Sequence, residues 1–585
     1  MSGNNLHKMN NFSILKHYSK STRTVPMFRK NETHRQKNMF GFANTLPTAV
    51  IDKAKGTEEY HFYHLIFCHI DEEIFSVLFS DEKSRPNAPI NSLVGAIILQ
   101  NRRGWTFDEL FKQLQFNLLV RFALGLDDLE TMPFCRATLF NFQNRLSEHF
   151  TRTGENLLEH VFDRLTENQL RTLKVKTSIQ RTDSTFAASN IRKYTRLQLL
   201  VEVLIRIERI LSEKDRKRFR EHLGCYVKKS SGQYIYRLKA SDIPHELQEI
   251  AKAYAWVRRH FKKHYKDDPV FSIFERVLNE QFTKKDGSLI PKPPRELHSG
   301  CVQSPDDLDA TYLDKNGKKS KGQTIQVTET AHPENKLNLL TDIHVTPNNI
   351  DDSRVLNGRI DHMKFKTPDL IEHHIDGAYG SADNDKKYEK YHINPVQTGI
   401  RGTRAGVDIG IANSSKKNYQ VCCPYQEAMV RKKWEHYQAI FDELQCLDCS
   451  ELNKCPVENT SLGRSFNFKH EDYLRQKRLK SRLTMPPERK HLRNNVEATI
   501  HEFTCRMPNR KLKVRGHFKT SLFAYAVGVS SNFGRIFRYL TDLEGDQVML
   551  REYFKELAGH AFDIFRFIRR VMLPTTHAWS LSRFF

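Results

Sequence analysis

The sequence predicts a mixed α/β fold: a helical N-terminal region, then a sheet interrupted first by a long helical excursion and later by a Cys-rich one. Three observations carry this. Residues 60–150 place apolar side chains at helical spacing, with breaks at polar or Pro-containing stretches such as SRPNAP. Strand patterns begin at residues 176–187 and resume only at TIQVTET (324–330), NLLTDIHVTP (338–347), LIEHHIDGAYG (370–380) and NPVQTG (394–399). The interval between the first strand and the second is strongly helical.

Taken in order, residues 1–55 are polar and read as a disordered lead-in, with no charged-then-apolar export signal. Four helical segments follow, YHLIFCHIDEEIFSVLF, INSLVGAIILQNRR, FDELFKQLQFNLLVRFALGL and CRATLFNFQNRLSEHF, giving a compact all-helical domain over about 56–165. An α/β domain over 170–545 then begins with the strand at 176–187. Its helical insertion, about 190–300, contains one helix from Leu197 to Leu223 and further helices at HELQEIAKAYAWVRRHFKKHY and FSIFERVLNEQF. In TIQVTET, Ile325 and Val327 alternate with Gln326 and Thr328, and Asn316–Gly317 supplies a turn. In LIEHHIDGAYG, Ile371, His373 and Ile375 share one face; of His373 and His374, one is expected to face the core and the other solvent. A short helix (SADNDKKYEKYH), the Cys-rich insertion at 405–470, a helix near 488–505, another from 519 to 543 and a helical tail at 546–585 complete the chain.

The 585 residues carry 93 Lys and Arg against 69 Asp and Glu, a formal net charge of +24. Mean hydropathy is −0.61 and the pI is about 9.5. This excess favours a polyanionic partner, since neutralised phosphates release condensed counterions. No apolar run approaches the ~18–20 residues that cross a bilayer, so a cytoplasmic, nucleoid-associated protein is expected. Charge alone does not separate a regulator from a nuclease.

Two strands deliver an aspartate beside small residues: Asp183 in RTDST and Asp376 in HIDGAYGS. Singly, each is ordinary turn chemistry; together at strand ends they suit a hard cation such as Mg²⁺, which takes a few carboxylates and keeps several waters. Glu497 is a third candidate. Arg489, Arg493 and Glu497 recur at every fourth residue, near one helical face, so an Arg493–Glu497 surface ion pair is the plain reading. The alternative sets Glu497 against the strand ends as a ligand and the arginines against DNA phosphates.

The segments RTDSTFAASNIRKYTRLQLLVEVL, HIDGAYGS and R-x3-E followed by KLKVRG resemble the Asp-Asp-Glu (DDE) transposases of bacterial insertion sequences. So does the helical stretch RPNAPINSLVGAIILQNRRGWTFDEL through FNLLVRFALGL, and the resemblance runs from about residue 60 to 545. It implies a ribonuclease-H-like core, with Asp183 on the first strand, Asp376 after the fourth and Glu497 on a following helix, holding Mg²⁺ (or Mn²⁺ in its place). The activity implied is cutting of the element's own ends and joining of the 3′-hydroxyls to target DNA. The partners implied are double-stranded DNA (terminal inverted repeats and target) and a second copy of the chain, or more, at synapsis. The family's third motif carries Tyr, Arg, Glu and Lys at set spacing; here Lys490 stands at the Tyr position and Thr504 at the Lys position. Glu502, then Glu488, are the alternative third acids. A decayed transposase acting as a DNA-binding regulator, or a metal-dependent nuclease that does not join, are the competing readings.

Five of the ten cysteines, Cys422, Cys423, Cys446, Cys449 and Cys455, fall close together. With Cys423 they read C-x22-C-x2-C-x5-C, a candidate structural Zn²⁺ set (Cys423, Cys446, Cys449, Cys455) in an excursion too polar to build a core. Reduced cysteines packed as small hydrophobes are the alternative, as is Cys422 for the first ligand. Basic clusters RKRFR, KNGKKSK, RQKRLKSR and RKLKVRG suggest a DNA track, Lys511, Lys513 and Arg515 among its residues.

Overall fold

The computed structural model describes residues 28–36, 41–80, 86–127, 132–236, 238–315, 317–399, 406–415 and 418–542. The helical tail expected at 546–585 lies outside them. At the centre is β1 (Ile179–Ala188). The helical excursion that follows ends in a hairpin, β2 (Phe282–Lys285) and β3 (Ser288–Pro291). The sheet then gains β4 (Thr311–Lys315), β5 (Lys318–Thr330), β6 (Leu340–Pro347), β7 (Glu372–Ile375) and β8 (Asn394–Gln397).

Its order is β4-β5-β1-β7-β8, with β6 beside β4 on the same edge of β5. β1 runs antiparallel to β5, Asp183 opposite Val327, and parallel to β7, Gln180 opposite His373. β7 and β8 are also parallel. Parallel neighbours require crossovers, and the helices Asp352–Lys366 and Ala382–Lys390 supply them.

Both faces of the sheet are covered, so the alternation expected for β5 and β7 collapses into continuous burial. His373 and His374 are both fully buried, which corrects the expectation that one faces solvent. His373 accepts or donates to Thr182 at 2.6 Å and Tyr388 at 2.8 Å, while His374 meets Glu372 at 2.7 Å. Burial drives the His373 pKa down to about 3.

The N-terminal helices, among them Ile90–Arg103, Arg136–Thr153 and Leu157–Thr172, have no core of their own. They share one with β5, β6 and the helix His517–Asp542, whose apolar residues encircle it. Phe62 meets Phe533 edge-on, and Arg102 donates to the Ser530 carbonyl at 2.7 Å. Part of the stretch expected as a disordered lead-in is ordered: Thr48–Lys55 is helical, and Asn31 and Phe42 bond to Glu72 and Asp127.

The helix expected from Leu197 to Leu223 breaks at Leu211, where the Ser212 hydroxyl caps a second helix, Glu213–Leu223. These helices build a separate apolar core. The Cys-rich stretch also differs from expectation. It forms a second six-stranded sheet of β9 (Gly410–Ser415), β10 (Asn418–Cys422), β11 (Glu427–Lys433), β12 (His436–Phe441), β13 (Glu458–Thr460) and β14 (Gly463–Phe468). Tyr419, Val421, Ala439, Phe441 and Phe468 give that sheet a small core, so metal is not its sole means of folding.

Candidate active site

Asp183 projects from β1 on the face that carries Arg181, and Asp376 follows the last residue of β7. Arg493 joins them: its guanidinium is 3.0 Å from the Asp183 carboxylate and 3.8 Å from that of Asp376. The Ser184 N–H donates to Asp183 at 2.8 Å and the Gly377 N–H to Asp376 at 2.6 Å. Close backbone packing supports the second acid. A Cβ on Gly377 would come 3.0 Å from the Gly399 carbonyl oxygen, which explains the small residue after the aspartate.

Burial pushes the Asp183 pKa above the usual carboxylate range; Arg493 and the Ser184 N–H oppose this, and nearby Asp376 adds to it. Asp352, the first residue of the Asp352–Lys366 helix, is raised too, chiefly by burial, with Asp351 and Asp183 contributing. The Ser184 hydroxyl lies 3.2 Å from Asp352, so one serine touches two carboxylates, its N–H on Asp183 and its hydroxyl on Asp352. Asp352 and Asp376 both line an open cleft of about 490 Å³, together with Phe186, Lys315, Asn348 and Gly377.

The segment bearing Arg493 is not the continuous helix expected over 488–505. Pro487–Arg489 and Leu492–Asn495 are 3₁₀ turns, and the α-helix starts at Val496. Arg493 therefore pairs with Asp183 and not with Glu497. Glu497 sits exposed in the first helical turn and, among the described residues, makes no hydrogen bond or ion pair. Of the alternative acids, Glu502 is engaged with Arg535 at 3.1 Å, and Glu488 is exposed.

A buried network fixes this segment to the sheet. Arg181 donates to Glu329 at 2.7 Å and to the Leu492 carbonyl at 2.6 Å, one residue before Arg493. Glu329 also accepts from Thr499 at 2.6 Å and Arg535 at 2.7 Å. Arg489 reaches Glu372 at 3.0 Å. None of Ser184, Asp352 or this network was anticipated from sequence, though Asp351–Asp352 ahead of a helical pattern was a visible signal.

The basic clusters divide. Arg478 is buried against Asp385 at 2.7 Å, which removes it from any DNA track. Lys511, Lys513 and Arg515 run beside the end of β1, each donating to a backbone carbonyl, of Ile191, Gly104 and Asn190 respectively. Leu512 and Val514 bond backbone-to-backbone with Ala188 and Asn190.

In the Cys-rich sheet, the β10 register turns Tyr419 and Val421 inward, and the alternation carries Cys423 to the same side while Cys422 is exposed. Cys446 is buried, and Cys423 and Cys455 pack against the same core. The Gln426 amide lies 3.3 Å from the Cys446 sulfur. Burial and the neighbouring Cys423 raise the thiol pKa of both Cys446 and Cys455. Among the described residues no three of these sulfurs come within 4.8 Å of one another; Glu159, Asp163 and His362 do so with their ligand atoms. That second group already has its cations: Arg359 bonds Glu159 at 2.8 Å and Lys366 bonds Asp163 at 2.5 Å.

Among the described residues no helix is long and apolar enough to cross a membrane. Comparison with curated proteins and with solved structures returned no match. Residues 53–145 match the family model described as Transposase domain (DUF772), and this match supports a transposase.

Proposed function

We propose that this chain is a DDE transposase that cuts the ends of its own element and joins the 3′-hydroxyls to target DNA. The observation that carries the reading is the convergence of Asp183 and Asp376, distant in sequence, on one guanidinium. A site that needs a positive charge between two carboxylates has the donor chemistry for a hard divalent cation, and Asp183 and Asp376 would hold it. When bound, such ions activate water or a 3′-hydroxyl and neutralise the leaving oxygen in phosphodiester transfer. The strand order β6-β5-β1-β7-β8, with β5 antiparallel and β7 parallel to β1, supports a ribonuclease-H-like sheet.

The chain's own residues do the positioning. Arg181 holds the Leu492 carbonyl and so places Arg493 over the acids. Arg493 presents its guanidinium beside the two aspartates, and Arg489, paired with Glu372, precedes it by four residues; a DNA phosphate would be clamped by these two side chains. Lys511, Lys513 and Arg515 extend positive charge past the end of β1. Glu497 remains the proposed third acid of the family triad, one turn beyond Arg493. For the four cysteines we propose a structural Zn²⁺ site. Four thiolates are the donor set of a closed structural zinc site, and Cys423, Cys446 and Cys455 already share one small core.

The test is strand cleavage on the DNA flanking the gene, with Mg²⁺, comparing wild type with Asp376→Asn. Cutting at the element ends and joining to target by wild type alone is the expected result. DNA binding without cutting by either protein would contradict the enzyme reading.

A further inference from the structure

We propose that the helical insertion carries a duplex-DNA-binding face of its own, on which Lys214, Lys217, Arg218, Arg259 and Lys263 contact phosphates. This rests on the reading of the chain as a DNA-acting protein and adds a contact surface outside the catalytic sheet.

The face is built by the helices Glu213–Leu223 and Ile243–Tyr265, which lie side by side and antiparallel. At one end the Tyr265 hydroxyl bonds Asp215 at 2.8 Å and the Ser212 N–H at 3.0 Å. Towards the other end Trp256 stacks on His222, with ring centroids 4.6 Å apart. Phe219 and Phe261 close the seam beneath, inside the insertion's own core. With the seam fixed, helical spacing decides what faces out. Lys214 and Arg218 are four residues apart on one helix, and Arg259 and Lys263 four apart on the other, so each pair forms a row. The Arg218 guanidinium lies 5.8 Å from the Trp256 ring centroid, which joins the two rows. All five cations are exposed. Among the described residues, none of them has an ion pair within 4.0 Å.

Their sequence neighbours behave differently. Arg216 and Arg220 of the same RKRFR cluster turn back to Glu208, and Arg258 and Lys262 to Glu275. These acids neutralise the flanks and leave the face positive; Glu221, exposed four residues after Lys217, offsets one charge. Unpaired cations in rows suit a regularly spaced polyanion whose condensed counterions they release. An anionic membrane surface would also need apolar side chains among them. The insertion's large exposed apolar residues, Tyr236, Ile243 and Ile290, lie outside the rows.

The experiment is binding of the purified full-length protein to a random-sequence DNA duplex, by fluorescence anisotropy, between about 50 and 200 mM salt. Arg259→Gln/Lys263→Gln is compared with Arg258→Gln/Lys262→Gln, which removes the same two charges from the same helix on the Glu275 side. The first should flatten the slope of log affinity against log salt by about 1.8, at about 0.9 per phosphate contact, and the second by less than about 0.5. Lys214→Gln/Lys217→Gln, on the other helix, should repeat the larger loss, and every variant should keep the wild-type circular dichroism. Equal slopes in the Arg259/Lys263 and Arg258/Lys262 variants, or an unchanged slope in both face variants, overturns the proposal. A wild type that binds no duplex overturns the DNA-acting reading and this proposal with it. A wild type that binds with these slopes but cuts nothing fails the transposase reading and leaves this face standing.

Discussion

The segment that carries Arg493 is held to the sheet by buried charge, so Glu329→Gln is the sharpest perturbation of the site's frame. Glu329 is 1% exposed at its side chain and Arg181 5%, and Arg535 on the other side is 12% exposed. In wild type, Arg181 and Arg535 are balanced by Glu329 and Glu502. Glutamine keeps the volume but removes one negative charge, leaving a buried guanidinium uncompensated. Breaking a buried pair from one side costs about 3–5 kcal/mol. At about 2–4 °C per kcal/mol for a large domain, the thermal midpoint should drop by about 6–20 °C. Glu502→Gln provides the control: Glu502 is 27% exposed and pairs with Arg535 and, at 3.9 Å, with the exposed Arg538, so its loss should cost about 1 kcal/mol or less. Both variants are compared by circular dichroism melting and by strand cleavage. Because Arg181 also holds the Leu492 carbonyl, Glu329→Gln should lose cleavage at temperatures where it is still folded. A midpoint within 2 °C of wild type, or equal losses in the two variants, would refute the reasoning.

Three further outcomes follow from the same geometry. Asp183→Asn should abolish cutting, keep DNA binding and raise the melting temperature at pH 7. The Asp183 pKa is raised on folding, so its contribution is complete below about 3.9 and lost as pH rises through the folded value; a variant no more stable than wild type at pH 7 would contradict this. His373 is depressed to about 3, so it keeps its full contribution above about 6.5 and loses it as pH falls, by about 1.4 kcal/mol per unit or about 2 kcal/mol at pH 5. His373→Gln should flatten the stability–pH curve between pH 6.5 and 5 by that amount, and an unchanged slope would count against the buried neutral imidazole. Metal analysis should find about one zinc per chain, reduced in Cys446→Ser, and zinc-free wild type would end the cysteine reading.

Asp183 and Asp376 were legible because an acid at a strand end beside small residues is a local pattern, and the strands were short-range signals too. Arg493 was legible as a site residue but not its partner. The four-residue spacing to Glu497 assumes a continuous helix, and the chain instead enters through two 3₁₀ turns that swing the guanidinium back to β1. His373 and His374 were misassigned because alternation predicts one wet face, whereas a central strand covered on both sides has none. The helical region looked self-contained because its periodicity says only that each helix has an apolar stripe. What covers that stripe is the His517–Asp542 helix, hundreds of residues later. Asp352 hid for the opposite reason: an aspartate pair ahead of a helix is sufficiently explained as capping, and Asp351 is indeed the cap.

These misses share a physical origin. Periodicity and turn chemistry describe how a segment meets its neighbours in sequence, while the candidate site is made where three segments distant in sequence meet at one end of a sheet. β1 brings Asp183 and Ser184, β7 brings Asp376, and the Asp352–Lys366 crossover returns Asp352 from the far face to the same cleft. The parallel pairing of β1 with β7 requires that crossover. The connection that makes the sheet possible therefore also sets another carboxylate along the cleft that Asp376 lines. The same constraint explains the buried Arg181–Glu329–Arg535 network. The segment has no strand of its own, and besides the buried Val496 and Phe503 it is held over the sheet face by these charged side chains, whose loss should register in folding and cutting alike.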